Sequence, residues 1–510
     1  MRTTVTVKTR KGDVRGSTVD RVQAFKGIPF AAPPFGANRF RPPQPVAPWS
    51  GVRDAFDYGP KSPQLPYPPP VDVLIPEFVG GGEDCLTLNI WSSELGSARQ
   101  PVVVWIPGGV FAYHATGACP WYDGRAFARD GIVCVTINYR VGAEGFLALG
   151  GANANRGLLD QIAALEWVQE NIAAFGGDPH NVTVFGESAG AISIGVLLSM
   201  PRARRLFRRA VLQSGAAHPV MSSATARLVC ERLAVKLGVT PAVEAFANVP
   251  IDRVLQAQAE LDADLAAIPD PRRWGEEVVL SHMLWLPVID GDTIPGPPLD
   301  RIAAGCAAGI EVLAGTNTDE HRLFLGSTGA LAQVTSDALA GTIAAYGMPV
   351  DATIAAYRAT RPDASPGDLF AAVMSDWFWR IPAIRLAEAH AAGGSKTYMY
   401  EFAWRSPQFN GMLGACHALE IAFVFDTLGH KTEPILGSSP PQELADTMHA
   451  AWVGFAKTGD CGWPAYDSRR RATMRFDRTS AVVDDPRSAE RVLWERTMPA
   501  PVAGAVRDCA

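Results

Sequence analysis

Three short stretches of the chain, 102–106 (VVVWI), 132–137 (IVCVTI) and 182–185 (VTVF), are apolar almost without interruption. A strand with one wet face alternates polar and apolar residues, whereas a strand with almost no alternation has to be covered on both faces. Between the last two stretches, Leu158, Ile162, Leu165, Trp167 and Val168 fall mainly on one face of a helix over 158–172, and Gly176-Gly177-Asp178-Pro179 stops it. Strand, helix and strand predict a βαβ unit, and so an α/β chain with a parallel sheet packed by helices on both sides. Strand-like runs at 210–212, 310–313 and 398–402, with helical stretches between them, extend the same pattern. The alternating segment from Met1 to Val7 reads as an edge strand.

A chain of 510 residues with 47% hydrophobic content can bury a large core. No Ser/Gly-rich, highly charged or repeated stretch divides it, so residues 1–510 are expected to form one elaborated domain. The first hundred residues are broken by turn signals such as Gly27-Ile28-Pro29, Pro33-Pro34 and Pro42-Pro43. From Pro60 to Gly82, seven prolines and three consecutive glycines resist regular structure and predict a long loop, of the kind that often borders an active site.

A net charge of −6 argues against a surface built to neutralise phosphates, so nucleic acid is excluded as a partner. The basic cluster Arg202, Arg204, Arg205, Arg208 and Arg209 is expected to be a solvated helix end. No leader-like apolar core follows Met1, and no run approaches the ~18 apolar residues of a membrane span. Cys509 is also misplaced for prenylation, so the expected location is cytoplasmic. Eight scattered cysteines, without a Cys-x-x-Cys pair or a Cys/His grouping, predict reduced thiols and neither a disulfide framework nor a metal site. Oligomeric state is not legible in the sequence.

The segment most informative about chemistry runs from Val182 to Ile194 and contains Gly186-Glu187-Ser188-Ala189-Gly190. A Gly-x-Ser-x-Gly pentapeptide does chemistry at a sharp strand-to-helix turn, where small neighbours let the backbone bend and present the serine oxygen above the sheet. The letters alone are weak evidence, since Ser188 also suits an ordinary helix N-cap. The predicted strand before it and the helix after it make Ser188 a candidate nucleophile. Such a serine needs preorganised N–H donors for the oxyanion of its tetrahedral intermediate. Gly108-Gly109-Val110, at the end of a predicted central strand, and Ala189, beside the serine, are positioned to supply them. Nine histidines leave the general base open on this reading: His114, His180, His218, His282, His321, His390, His417, His430 and His449.

Taken in order, FKGIPFAAPPFGANRFRPP from Phe25, EDCLTLNIW at 83–91, VVVWIPGGVF at 102–111, TINYRVGAEGFL at 136–147 and the long block from Asn155 to Gly190 resemble the type-B carboxylesterases, the family of bacterial para-nitrobenzyl esterases and cholinesterases. LPVIDG at 286–291, GTNTDEHRLF at 315–324 and GACHALEIAFVF at 414–425 complete the set, which spans nearly the whole chain. The resemblance implies an α/β-hydrolase fold with long loops around an active-site gorge, and a hydrolase of carboxylic esters that needs no cofactor. It also implies Ser188 as nucleophile, His417 as general base, Glu320 rather than Asp319 as the acid behind the histidine, and Gly109, Val110 and Ala189 as the oxyanion hole. The order serine, acid, histidine is the one expected of this fold. Glu187 is expected to support the site from behind, and Glu83, Asp160 and Asp178 to be structural, with Glu83 paired to Arg39.

Three departures from the family pattern stand out. Ser62 occupies the position of a cysteine that commonly bridges the one at Cys85; Pro107 replaces the usual His or Tyr before the glycines; and Val110 replaces a Gly or Ala. None removes a backbone donor, but the valine methyls are expected to crowd the leaving-group side and to favour esters of primary alcohols. With 13 Trp and 22 Phe in the chain, an aromatic gorge for small, uncharged, apolar esters is expected, with Phe111, Trp285, Phe324 and Phe423 as its candidate lining. Two other readings compete: a catalytically silent binding domain of the same fold, and a hydrolase preferring thioesters or amides.

Overall fold

The computed structural model describes residues 3–77 and 80–497. Met1, Arg2 and the Cys509 terminus considered above lie outside them. A 13-stranded sheet organises the described chain. Its middle strands, Val133–Ile137, Gln100–Ile106, Gly177–Glu187, Arg209–Gln213, Glu311–Asn317, Thr397–Phe402 and Ala472–Phe476, are parallel neighbours in that order. Four N-terminal strands flank them antiparallel, with Thr3–Lys8 at the edge as its alternation predicts; the short Val52–Asp54 pairs parallel with Asp13–Val19, and Ala481–Asp484 closes the other edge antiparallel. The fold is an α/β-hydrolase fold, with a mostly parallel sheet covered on both faces.

The unbroken apolar runs explain themselves in this frame. Successive strand residues point to opposite faces. Val102, Val104, Ile106, Val182 and Val184 pack into one core beneath helix Arg156–Asn171, while Val103, Trp105 and Phe185 enter a second core on the opposite face, under helix Gln442–Thr458. The observed βαβ helix begins two residues before the predicted start, and a 3-10 turn over Ile172–Phe175 leads to Gly176 in the left-handed region at φ 83°, where the chain reverses.

Register puts the functional turns side by side. Ile106 pairs with Gly186, Glu187 with Gln213, and Gln213 with Gly315, so these strands end level and their C-terminal loops converge on one edge. That edge is where ligands bind in open α/β sheets.

Buried charge locks the first connections. Arg140, just after strand Val133–Ile137, donates through Nε and Nη2 to both oxygens of Asp160 at 2.8 and 2.7 Å, and its backbone N–H donates to Asp160 Oδ2 at 3.1 Å. Both side chains are sealed from solvent. Arg39 does not pair with Glu83 as expected. It donates to Glu144 at 2.6 Å and to the carbonyls of Ala247 and Val249, because the Gly142–Phe146 turn brings a buried carboxylate to it, whereas Glu83 stays exposed.

Two further expectations are corrected. Cys306 is disulfide-bonded, although Cys85, Cys119, Cys134, Cys230, Cys416 and Cys461 are free and buried as expected. The thiols therefore do not by themselves argue for a reducing compartment. Within the basic cluster, Arg202, Arg204, Arg205 and Arg208 are exposed, but Arg209 is buried against Glu311, because it opens a central strand. Among the described residues, no helix is long and apolar enough to cross a membrane.

Removing one partner of the sealed Arg140–Asp160 pair leaves an uncompensated buried charge. Asp160→Asn is expected to lower unfolding stability by about 3–5 kcal/mol. Denaturant unfolding of both proteins checks this, and a loss below ~1 kcal/mol would contradict the role given to the pair.

Candidate active site

Strand Gly177–Glu187 passes into helix Ala189–Leu197 with no intervening loop, so Ser188 carries the whole change of direction. Its φ of 55° and ψ of −124° are strained for a residue with a side chain. The turn is held by Ser188 N–H donating to Gln213 O at 2.9 Å and by Ile192 N–H donating to Ser188 O at 2.9 Å. The Ser188 side chain makes no capping bond to the helix. The ordinary N-cap reading therefore fails.

A cavity opens above this turn. Ser188, Glu187, Gly108, Gly109, Val110 and His417 all line it. The amides of Gly109, Val110 and Ala189 have no acceptor among the described residues. Gly108 sits so close that a Cβ there would lie 3.0 Å from Ser188 Cβ. The expected donors and the expected nucleophile thus share one wall.

His417 comes from the turn before helix Ile421–Phe425 and is buried. Its Nδ1 lies 2.7 Å from Glu320 Oε2, and its backbone N–H donates to Glu320 O at 3.2 Å. Glu320 is fully buried, and its other oxygen accepts from Asn317 N–H at 2.7 Å. Trp379 and Phe324 pack on the imidazole, with ring centroids at 5.3 and 5.9 Å. Two neighbouring carboxylates in the turn after strand Glu311–Asn317 face different partners. Glu320 faces the imidazole, while Asp319 faces away, accepting from Ala415 N–H and Arg405 at 3.0 Å each and from the Thr318 hydroxyl at 2.9 Å. His114 also lines the cavity, but its Nε2 lies 3.1 Å from Pro76 O.

Glu187 is nearer than expected. It does not stand behind the site; its Oε1 lies 3.0 Å from His417 Nε2, within the cavity wall. Burial lowers an imidazole's pKa, but the carboxylates of Glu187 and Glu320 outweigh it and hold His417 well above its ordinary value. Burial in turn raises Glu187, against the lowering effect of His417. Below them, burial and the neighbouring Glu187 and Glu320 push Glu420 up to about 7, while Asn317 and Gln213 donate to it at 2.7 and 3.1 Å.

The other walls are apolar. Tyr67, Val71 and Ile75 of the Pro-rich loop form one side, as its length suggested; Trp121, Tyr122, Leu323, Phe324 and Ile421 form most of the rest. Of the four aromatics expected here, only Phe324 lines the cavity. Phe111 packs on Phe146, Phe423 on Phe402 and Trp404, and Trp285 lies in the core. Tyr67, Trp121 and Tyr122 were not foreseen, because they come from loops whose course no periodicity records. The free volume is ≈ 30 Å³, against ~300–1,000 Å³ for a typical ligand pocket, so a bound ester requires these side chains to move apart. Among the described residues, no group of His, Cys, Asp and Glu could hold a metal ion.

Comparison with known proteins gives the family of the chain. Residues 3–494 match the Carboxylesterase family. The chain is 38% identical to the para-nitrobenzyl esterase of Bacillus subtilis (strain 168), over 95% of this chain and 97% of that one. It is 35% identical to the phenmedipham hydrolase of Pseudarthrobacter oxydans, covering 94% and 95% of the two chains. Acetylcholinesterase of Bungarus fasciatus is 32% identical, with 97% and 86% covered. Among solved structures, carboxylesterase EST55 of Geobacillus stearothermophilus superposes with a TM-score of 0.83 at 38% identity, covering 96% of this chain and 99% of that one. The chain belongs to the carboxylesterase family and is a carboxylic-ester hydrolase.

Proposed function

We propose that hydrolysis proceeds through an acyl-enzyme on Ser188, with His417 as general base, Glu320 as the carboxylate that orients it, and the amides of Gly109, Val110 and Ala189 as the oxyanion hole. The observation that carries this reading is the 2.7 Å contact of His417 Nδ1 with Glu320, opening onto the same cavity as the strained Ser188 turn. The Ser188 hydroxyl adds to the ester carbonyl as its proton passes to His417 Nε2, and the carbonyl oxygen, now an anion, takes the free amides. The imidazolium then returns the proton to the departing alcohol. Water repeats the addition on the acyl-enzyme, releasing the carboxylic acid and restoring Ser188. Glu320 stays ionised throughout and stabilises the imidazolium.

The substrates we propose are small, uncharged, apolar esters. Among the described residues no Lys or Arg lines the cavity to neutralise an anionic group, and Val71, Ile75, Leu323 and Ile421 offer only apolar surface. We propose further that the whole chain forms one catalytic domain. An intact set of candidate catalytic groups weighs against the silent binding domain, and matched ester, thioester and anilide substrates rank the leaving groups.

Ser188→Ala is expected to lower turnover of an activated ester by about a millionfold with the fold intact. Organophosphate should label the Gly186–Gly190 peptide of the parent. Activity within tenfold of the parent would remove Ser188 as nucleophile. Glu320→Gln should cost about ten-thousandfold, and Asp319→Asn much less, since an amide oxygen still accepts from Ala415; the reverse order would move the acid by one residue.

The pH profile tests Glu187. An acting base has to be neutral, so activity falls as pH drops through the raised His417 pKa. Ionised Glu187 favours the imidazolium. Its removal in Glu187→Gln lowers the His417 pKa and should carry the acid limb of kcat/KM to lower pH, measured from about pH 5 to about pH 9. A limb that stays in place or moves upward contradicts the contact.

Val110, half-buried at the cavity, tests the leaving-group side. Val110→Gly is expected to raise the ratio of tert-butyl to n-butyl acetate hydrolysis, with some loss of overall rate as the loop gains freedom. An unchanged or lowered ratio would show that the valine methyls do not shape that space.

A further inference from the structure

The loop bearing two of the free amides is strained and has to be held from outside. Gly109, Val110 and Phe111 take φ values of 110°, 48° and 57° in succession, and His114 follows at 50°. Non-glycine residues persist in such conformations at a cost of ~1–3 kcal/mol each when their surroundings impose them, and a β-branched valine is among the least suited. The loop is closed tightly on itself. Gly109 O accepts from Ala112 N–H at 2.9 Å and Tyr113 N–H at 2.8 Å, and a Cβ at Gly109 would lie 1.8 Å from Tyr113 O. A loop that rigid moves as a unit, so its height above Ser188 is set by its attachments.

One attachment is to the next turn of the chain. Gly142 N–H donates to Phe111 O at 2.6 Å. The other crosses to helix Ile251–Ala267, where Asp262 Oδ2 accepts from the Tyr113 hydroxyl at 3.0 Å. Gln258, four residues earlier and so on the same face of that helix, accepts from Ala143 N–H at 2.7 Å. The helix therefore grips both sides of the Phe111–Gly142 joint. Both partners of the crossing bond are half-buried, and burial pushes the Asp262 carboxyl up to about 6, against the lowering effect of Tyr113, and raises the Tyr113 hydroxyl.

We propose that Asp262 is a positioning residue of this hydrolase, holding Tyr113 so that the amides of Gly109 and Val110 stand where the tetrahedral oxyanion forms. The proposal rests on reading those amides as oxyanion donors. Neither side chain lines the cavity, so neither contributes to ground-state binding. Their contribution is realised when the carbonyl oxygen becomes an anion, and their loss falls on kcat and leaves KM in place.

The test compares Tyr113→Phe, Asp262→Ala and the double variant with the parent on p-nitrophenyl butyrate, with active sites titrated and unfolding followed in parallel. Each single change should lower kcat about tenfold, less than the 10²–10³ of deleting a donor itself, with KM within about twofold. The double variant should lose no more than either single one, because the two side chains make one bond. Affinity for a trifluoromethyl ketone, which mimics the tetrahedral adduct, should fall in step with kcat. Asp262→Asn, which keeps an acceptor oxygen, should recover most of the rate. Unchanged kcat in well-folded Tyr113→Phe, whose ring is retained, would overturn the proposal, as would multiplied losses in the double variant or a rise in KM alone. Failure of the underlying reading looks different: the parent would then not bind the trifluoromethyl ketone, or Ser188→Ala would stay active.

Discussion

The site depends on how closely one helix can approach one strand. A Cβ at Gly190 would fall 1.9 Å from Ile106 O, and one at Gly186 would fall 2.7 Å from the same atom. Only hydrogens fit in that gap. Because both glycines let helix Ala189–Leu197 seat against strand Gln100–Ile106, the chain turns at Ser188 within a single residue, and the loop leaving Ile106 passes directly over the serine. The strain at Ser188 and at Gly109–Phe111 is thus a consequence of sheet packing, and the buried cores on both faces supply the stabilisation that maintains it.

This explains which parts of the molecule were legible in the sequence. The parallel sheet was, since doubly buried strands have a distinctive composition, and Val103 and Val104 enter opposite cores as that composition requires. The turn at Ser188 was too, because glycine on both sides of a serine between strand and helix has few other uses. His417 and Glu320 were not, on residue pattern alone. They lie 97 positions apart and meet because two loops end level on one sheet edge, and the resemblance to a family was needed to choose them among nine histidines. The aromatic lining was harder still. Phe111 and Phe423 stand in the site's motifs yet point into cores, while Tyr67 and Trp121 reach the cavity from irregular loops.

Charge pairing shows the same limit. Asp160 is anchored to Arg140 by three hydrogen bonds, as a structural role would have it, but Arg39 chose Glu144 over Glu83. In sequence the two carboxylates are equally plausible partners. What separates them is burial: a guanidinium in the interior needs a partner that is also in the interior, and only the fold determines which acid that is.

Three carboxylates, Glu187, Glu320 and Glu420, lie buried near one another, the first two against a single imidazole, an arrangement that a stability argument alone would disfavour. Each is balanced differently. Glu320 has Nδ1 of His417 and the Asn317 backbone N–H; Glu187 has Nε2; Glu420, with no cation in contact among the described residues, is pushed towards its protonated form and held by Asn317 and Gln213. The result is a site whose charge favours a proton on the histidine, which is the state the proposed mechanism requires once Ser188 has given up its proton. In the proposed mechanism the buried carboxylates lower the cost of the charge-separated intermediate at the expense of the free base. Glu187, 3.0 Å from Nε2, is the carboxylate placed on the side of the ring from which the proposed mechanism delivers the Ser188 proton.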